Sequence, residues 1–365
     1  MSDKKIKRLA HRGRLAQFPI YLGKLLRSFV YQSDWKVLPM SAVIAALISM
    51  VIRKNFCLEM QGTLKGAFSL TCACIWNGCF NSIQSICRER DIVKREHRSG
   101  LHISSYVLSH MVYQALLCLA QTLITLYVLN IMGVTLPKEG LVTAISTADF
   151  GITLFLITFA SDMLSLLVSA LVHSSTAAMT VMPFLLIFQM IFSGGMFSLP
   201  GWAKDITPYT IGNPGMTAIA SLADYNEQPM NLGWKTINHI QDDPIEGDVT
   251  FGQMMKLFVG MSEGASGEDP DLKELTDRLS DLAETEGFKD LSLHYDFTLR
   301  SIIDVFGQDH VKTGVDAVMA ATSYKAAYVR SEDTVAEAWA RMAVFAVLYA
   351  LIAMIALEFI DKDKR

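Results

Sequence analysis

Apolar residues in this chain fall into long blocks separated by short polar islands. Residues 62–84 are apolar apart from Lys65 and a few amides, and residues 103–132 carry no formal charge. Between them, residues 87–100 read Cys-Arg-Glu-Arg-Asp-Ile-Val-Lys-Arg-Glu-His-Arg-Ser-Gly. A charged island between two spans lies at a membrane face, because unpaired charge in hydrocarbon is costly. Its surplus of Arg88, Arg90, Lys94, Arg95 and Arg98 predicts the cytoplasmic face. With Glu89, Asp91 and Glu96 interleaved, the island carries more charge than orientation requires, which predicts a docking surface.

The same pattern predicts spans near 37–52, 65–86, 104–131, 148–172, 177–199 and 339–360, six in all. Residues 4–31 are different: Leu15, Phe18, Tyr21, Leu22, Leu25, Leu26 and Phe29 recur at helical spacing, with Lys24, Arg27 and the Arg12/Arg14 pair opposite. That predicts a helix lying on the inner leaflet, its basic side toward the head groups. An even number of spans puts both termini on one side, and the basic arm makes that side the cytoplasm. The segment before the last span is then outside. The fold class is an all-α membrane protein with a mainly helical outer insertion, whose amphipathic runs are 251–261, 272–282 and 297–306. Asp269-Pro270-Asp271 with Glu274 reads as a helix start.

This organisation divides the chain into a cytoplasmic arm and amphipathic helix (1–35), five spans with the charged island (36–199), an outer segment (200–223), an acidic outer domain (224–336), and the last span with its tail (337–365). Composition agrees: 51% of the 365 residues are hydrophobic, 19% are charged, and mean hydropathy is +0.31, too apolar for an ordinary soluble protein. The net charge of -4 hides a basic N-terminal arm and a strongly acidic 199–336 segment. Acidity there argues against nucleic acid as a partner. Cys57, Cys72, Cys74, Cys79, Cys87 and Cys118 lie in or beside apolar segments, so neither a disulfide framework nor a metal centre is expected. The basic N-terminus lacks an adjoining apolar stretch and is not read as a cleavable signal. No Asn-x-Ser/Thr sequon occurs, which favours a bacterial cell membrane.

Polar residues inside the spans are the candidate chemistry. Asn77, Asn81 and Gln84 share one helical face, and Gln114 and Gln121 share another. Asp162 sits near the middle of the fourth span, where a carboxylate faces the bundle interior and is paired, protonated or functional. Gln121 and Gln189 are its expected partners if it is structural; a proton carrier is the alternative. Phe184, Phe188 and Phe192 form a stripe on the fifth span. Asn77, Gln84, Asp162, Phe184, Phe188 and Phe192 are the candidate substrate path. There is no G-x-x-x-x-G-K-[ST] phosphate loop, and no Ser/His/Asp or Cys/His set is readable, so no catalytic residue is expected on these residues.

The run Ile75-Trp76-Asn77-Gly78-Cys79, then Arg88-Glu89-Arg90, Lys94-Arg95-Glu96 and Ser104-Ser105-Tyr106, resembles the membrane domain of type-2 ABC exporters, including the white-like or G subfamily. The resemblance covers about 11–223 and 337–360. It implies an amphipathic connecting helix at 11–31 and a coupling helix at 87–100, in which Glu89, Arg90, Lys94, Arg95 and Glu96 contact an ATPase. It also implies re-entrant outer helices carrying Pro200, Trp202, Tyr209, Asn213 and Pro214. The implied partners are a separate ABC ATPase subunit holding ATP and Mg, a second permease copy or paralogue, and membrane lipid. A membrane-anchored outer binding or assembly protein, and a proton-coupled transporter built on Asp162, are the rival functions.

Overall fold

The charge-free stretch at 103–132 folds as the longest helix among the described residues. In the computed structural model, which describes residues 13–31, 34–52, 56–137, 139–195, 199–250, 253, 278, 281, 292–323 and 325–359, that block is Ile103–Ile131. The chain divides into two compact units, 1–229 with 323–365, and 230–322.

Among its described residues, the regular structure of the first unit is all helical. In chain order its helices are α1 (Arg14–Tyr31), α2 (Val37–Ile52), α3 (Met60–Ser82), α4 (Arg90–Arg98), α5 (Ile103–Ile131), α6 (Ser146–Leu171), α7 (Ser175–Ile191), α8 (Gly201–Lys204) and α9 (Gly212–Leu222), closed by Glu332–Glu358. Three of these are long and apolar enough to cross a membrane: α5, α6 and Glu332–Glu358. Helices α2 and α7 are shorter and apolar. Helix α3 has 23 residues and carries Lys65 in its first half. The fifth predicted span ends early, because the chain turns at Phe192–Ser193 and Gly194 takes a positive φ of 76°.

Helix α6 is the centre of the unit. It packs against α3, α5, α9 and Glu332–Glu358. Phe150, Leu154, Ile157, Ala160, Met163 and Leu166 on it are fully buried. Its start is held by Asp149, whose carboxylate accepts the backbone N–H groups of Leu141 (2.7 Å), Val142 (3.1 Å) and Thr143 (2.9 Å). These would otherwise be unpaired donors in the preceding turn. Gly78 of α3 lets the two helices approach: a Cβ there would collide with the Thr158 carbonyl and lie 2.9 Å from the Asp162 nitrogen. Trp339 donates its indole N–H to Thr153 Oγ1 at 2.8 Å, tying the last helix to α6. Ser331 caps that helix by accepting from the Thr334 N–H, with Glu332 and Asp333 in the first turn where the helix dipole favours acid.

The second unit contains α10 (Gln228–Ile240, which begins just before it), β1 (Pro244–Thr250), β2 (Ser292–Thr298), α11 (Leu299–Phe306) and α12 (Gln308–Ser323). The strands pair antiparallel in register Pro244 to Thr298 through Thr250 to Ser292. The insertion is therefore not purely helical: the run at 297–306 splits, with Phe297 and Thr298 in β2 and the helix beginning at Leu299. Alternation is what marks β2, with Leu293, Tyr295 and Phe297 on one face. The predicted runs 251–261 and 272–282, and the helix start at 269–274, lie outside the described residues except for Gln253, Arg278 and Asp281. With α12 numbered, the last helix, Glu332–Glu358, is α13.

Candidate functional site

The charged island folds as a one-turn 3-10 segment, Cys87–Glu89, running into the nine-residue α4. Asp91 in its first turn and Arg95, His97 and Arg98 in its last complement the helix dipole. Gly100 ends it at φ 102°, donating to the His97 carbonyl at 3.0 Å while Leu101 donates to Glu96. Val93 is its one buried apolar residue.

Two elements hold this segment in place, α6 and α1. From α6, Ser169 Oγ accepts the Ile86 and Cys87 N–H groups at 3.0 and 3.1 Å. Arg90 donates to the carbonyls of Ala170 (2.7 Å) and Val172 (3.3 Å), which the end of α6 leaves unpaired. From α1, Lys24 pairs with Glu89 at 3.3 Å and the Tyr21 hydroxyl donates to Glu96 at 3.0 Å. Gln17 bridges the loop after α4, donating to the Gly100 carbonyl and accepting from the His102 N–H, both at 2.9 Å. Ser105 and Ser109 of α5 donate to the Arg14 and Phe18 carbonyls. Helix α1 is thus latched to the charged island and to α5, and Lys24 points there rather than only to solvent or head groups.

Of the five residues expected to couple, Glu89, Arg90 and Glu96 make these internal bonds. Lys94 is half-buried and Arg95 is exposed. The outward face of α4 is Asp91, Ile92, Arg95 and Arg98. Ile92, 40% exposed, is an apolar side chain in the middle of a charged surface.

A second polar cluster lies between α3, α5 and α6. Asn81 and Gln121 exchange two amide hydrogen bonds. Asp162 is fully buried; its Oδ2 accepts the Cys118 thiol at 3.3 Å and Ser82 donates to its backbone carbonyl at 2.6 Å. Neither expected partner is its partner. Gln121 is occupied by Asn81, and Gln189 accepts the N–H groups of Ile211 (2.8 Å) and Gly212 (3.4 Å) at the start of α9. Asn77 is buried beside this cluster on α3, and Gln84 is half-buried at the edge of a cavity between α1, α3 and α5.

The phenylalanine stripe does not join them. Phe184 is 71% and Phe188 43% exposed on α7, with Phe192 stacked on Phe188 at 4.7 Å between ring centroids. Beyond α7, Pro200 precedes α8, and Trp202 and Tyr209 are largely exposed. Asn213 donates to the Ser193 carbonyl at 3.3 Å, and Pro214 is buried in the first turn of α9, where its missing N–H costs nothing. All six cysteines are free thiols, and among the described residues no group of three His, Cys, Asp or Glu side chains is placed to hold a metal.

Two comparisons bear on this arrangement. A stretch of 135 residues, 36% of the chain, is 30% identical to the ABC transporter ATP-binding/permease protein Rv1747 of Mycobacterium tuberculosis, and it spans 15% of that protein's length. The description of ABC-2 type transporters matches residues 24–220, more than half of the chain, from within α1 through the charged α4 and the central α6 to α9. The chain belongs to the ABC-2 type transporter family, as an integral membrane permease domain.

Proposed function

We propose that this chain is the permease subunit of an ATP-driven exporter. It works with a separate ABC ATPase that holds ATP and Mg, and pairs with a second permease copy or paralogue to enclose a path for an amphipathic, lipid-like or peptidic substrate. The observation that carries this reading is the bracing of α4. A soluble motor needs a rigid handle, and α4 is held from two sides by Arg90 on the α6 carbonyls and by Tyr21 and Lys24 on Glu96 and Glu89. Its outward Asp91, Ile92 and Arg95 offer charge for register and one apolar contact. The mycobacterial relative, named for both ATP-binding and permease functions, supports pairing with such a motor.

In this reading both termini are cytoplasmic in the cell membrane. Residues 1–35 form the arm and connecting helix, 36–199 the first five of six spans, 200–223 the outer gate with Trp202 and Tyr209, 224–336 the outer domain, and 337–365 the last span and tail. The amides Asn77 and Gln84 and the stripe at Phe184, Phe188 and Phe192 line the path between two copies. Catalysis belongs to the ATPase.

The experiment is co-purification in detergent followed by reconstitution. The expected result is an ABC ATPase whose hydrolysis is stimulated by this chain, with stimulation lost in Ile92→Asp/Arg95→Glu and yield unchanged. Arg90 and Glu96 are poorer targets, because reversing them breaks internal bonds. No ATPase in the complex, or full stimulation by the double variant, removes the case. For orientation, single cysteines at Ser266 and Ser331 should react with an impermeant maleimide on whole cells; labelling only after lysis inverts the topology.

A further inference from the structure

We propose that the exposed face of α3 lines the transport path, and that Lys65 selects an acidic amphiphile there, its anionic head at Lys65 and its apolar part over Trp76 and Phe80. This rests on the exporter reading above and names its substrate class. Gln61, Lys65, Ser69, Cys72, Trp76 and Phe80 fall within about 100° of one another around the helix. Gln61, Lys65, Trp76 and Phe80 are exposed, and Ser69 and Cys72 are half-buried. The opposite face is locked. A Cβ at Gly66 would collide with the Phe56 ring and one at Gly78 with the Thr158 carbonyl of α6, while Thr63 Oγ1 accepts the Cys57 N–H at 3.0 Å. Helix α3 cannot turn to hide Lys65.

Polarity decides what this face meets. Helix α3 has 23 residues, and about 20 suffice to cross hydrocarbon, yet α5, α6 and α13 are apolar enough for a span and α3 is not. Gln61, Lys65 and Ser69 recur every four residues, so the face is polar through its first three turns. An ionisable residue on such a face belongs against a water-filled cavity or protein, not lipid. Lys65 has no ion-pair partner among the described residues, and α3 carries no acidic residue. An unmatched cation in a cleft with low-dielectric walls concentrates anions. Further along, Trp76 and Phe80 are 43% and 46% exposed and meet edge to face at 5.9 Å. Their apolar surface begins about 16 Å from Lys65 along the axis, at roughly 1.5 Å per residue. The face is thus charged at one end and aromatic at the other. A neutral amphiphile gains nothing from Lys65, and a cationic one is repelled.

The test uses the full chain in lipid vesicles with the ATPase that co-purifies, carrying Ser69→Cys one turn beyond Lys65. Two membrane-impermeant thiosulfonates of opposite charge, an ethylsulfonate and an ethyltrimethylammonium, are applied on both sides, and peptide mass spectrometry reads the labelled position. Position 69 should react with both. Lys65→Gln should lower the ratio of anionic to cationic labelling rates about three- to tenfold, and Lys65→Arg should keep it. Laurate should slow labelling at least about threefold, dodecanol should not, and Lys65→Gln should remove the difference. A parent-like melting temperature shows that each variant folds. If Ser69→Cys does not fold, the native Cys72 on the same face is read instead. No reaction with either reagent means that the face meets lipid and overturns the proposal. A ratio unmoved by Lys65→Gln, or equal protection by laurate and dodecanol, overturns the selection of acids. ATPase stimulation in the same vesicles separates the two failures. Those results with stimulation intact strike this proposal alone, whereas absent stimulation strikes the exporter reading and this proposal with it.

Discussion

Asn81 and Gln121 hold each other by a reciprocal amide pair, Asn81 Nδ2 to Gln121 Oε1 at 2.9 Å and Gln121 Nε2 to Asn81 Oδ1 at 3.0 Å. This clasp joins α3 to α5 beside Asp162. Removing one partner leaves the other amide stranded, whereas removing both leaves nothing unpaired. Gln121→Leu is expected to destabilise the folded protein by about 1–2 kcal/mol, at the upper end of measured values inside membranes. Asn81→Leu/Gln121→Leu together should cost less than the sum of the single changes. A thermal-unfolding double-mutant cycle checks this, and strict additivity would refute the clasp.

Asp162 is expected to be structural. Its Oδ2 accepts the Cys118 thiol while its buried Oδ1 has no partner among the described residues, so Asp162→Asn should keep parent-like yield and most ATP-dependent transport with the proton gradient collapsed. Asp162→Leu should cost about 1–3 kcal/mol, because the site is fully buried and the larger side chain overpacks it. The reason is volume, not a stranded amide partner. Loss of transport in Asp162→Asn at normal protein level, with gradient-dependent transport in the parent, would instead favour the proton-coupled rival.

Gly78 sets the distance between α3 and α6. Gly78→Ala should lower the melting temperature more than alanine at any other glycine of α3, since its Cβ meets backbone of α6 and not a movable side-chain end. The expected penalty is about 1–3 kcal/mol. A parent-like melting curve would show that the helices part freely.

Tyr21 latches α1 to the coupling element. Burial, then the charge of Glu96 and the hydrogen bond to it, push the tyrosine hydroxyl's pKa up. A raised pKa means the latch contributes fully below the ordinary tyrosine value of about 10 and is lost only as pH rises past the folded value. ATPase stimulation should therefore not fall through tyrosine ionisation anywhere up to about pH 10. Tyr21→Phe, which removes only the donor, should weaken stimulation about two- to tenfold at every pH. Stimulation equal to the parent in Tyr21→Phe counts against the latch.

The contacts between 224–226 and 325–330 within the first unit should survive the loss of the second. Asn226 accepts from the Lys325 N–H and donates to its carbonyl, both at 3.0 Å. Lys325 Nζ lies 5.6 and 5.4 Å from the Tyr225 and Tyr328 ring centroids, and Arg330 pairs with Asp224 at 3.4 Å. Replacing 230–322 by a short Gly/Ser linker should leave a folded, monodisperse membrane unit in size-exclusion chromatography. Transport persisting in that variant would argue against the outer-scaffold rival; aggregation would show that those contacts are insufficient.

Hydropathy and charge by themselves determined the membrane class, the helical blocks and the place of the charged helix α4. Those follow from the cost of putting charge or open backbone into hydrocarbon, which any sequence must respect locally. They located α4 within the predicted 87–100 and α5 to within a residue of 104–131. Which polar residue meets which is not local. Asp162 takes Cys118, Gln121 takes Asn81 and Gln189 takes the start of α9, because packing across α3, α5, α6 and α7 brings together residues 22 to 44 positions apart. Tyr21 and Lys24 meet Glu96 and Glu89 across 75 and 65 positions, so an amphipathic helix that spacing could only lay on a membrane becomes a latch. The short antiparallel ribbon at 244–250 and 292–298 pairs residues 42 positions apart at their closest, Thr250 with Ser292, and a ladder of that range leaves no periodic mark strong enough to outweigh the helical pattern around it. Backbone pairing between distant segments, and the burial that makes each polar match obligatory, exist only once the helices are packed.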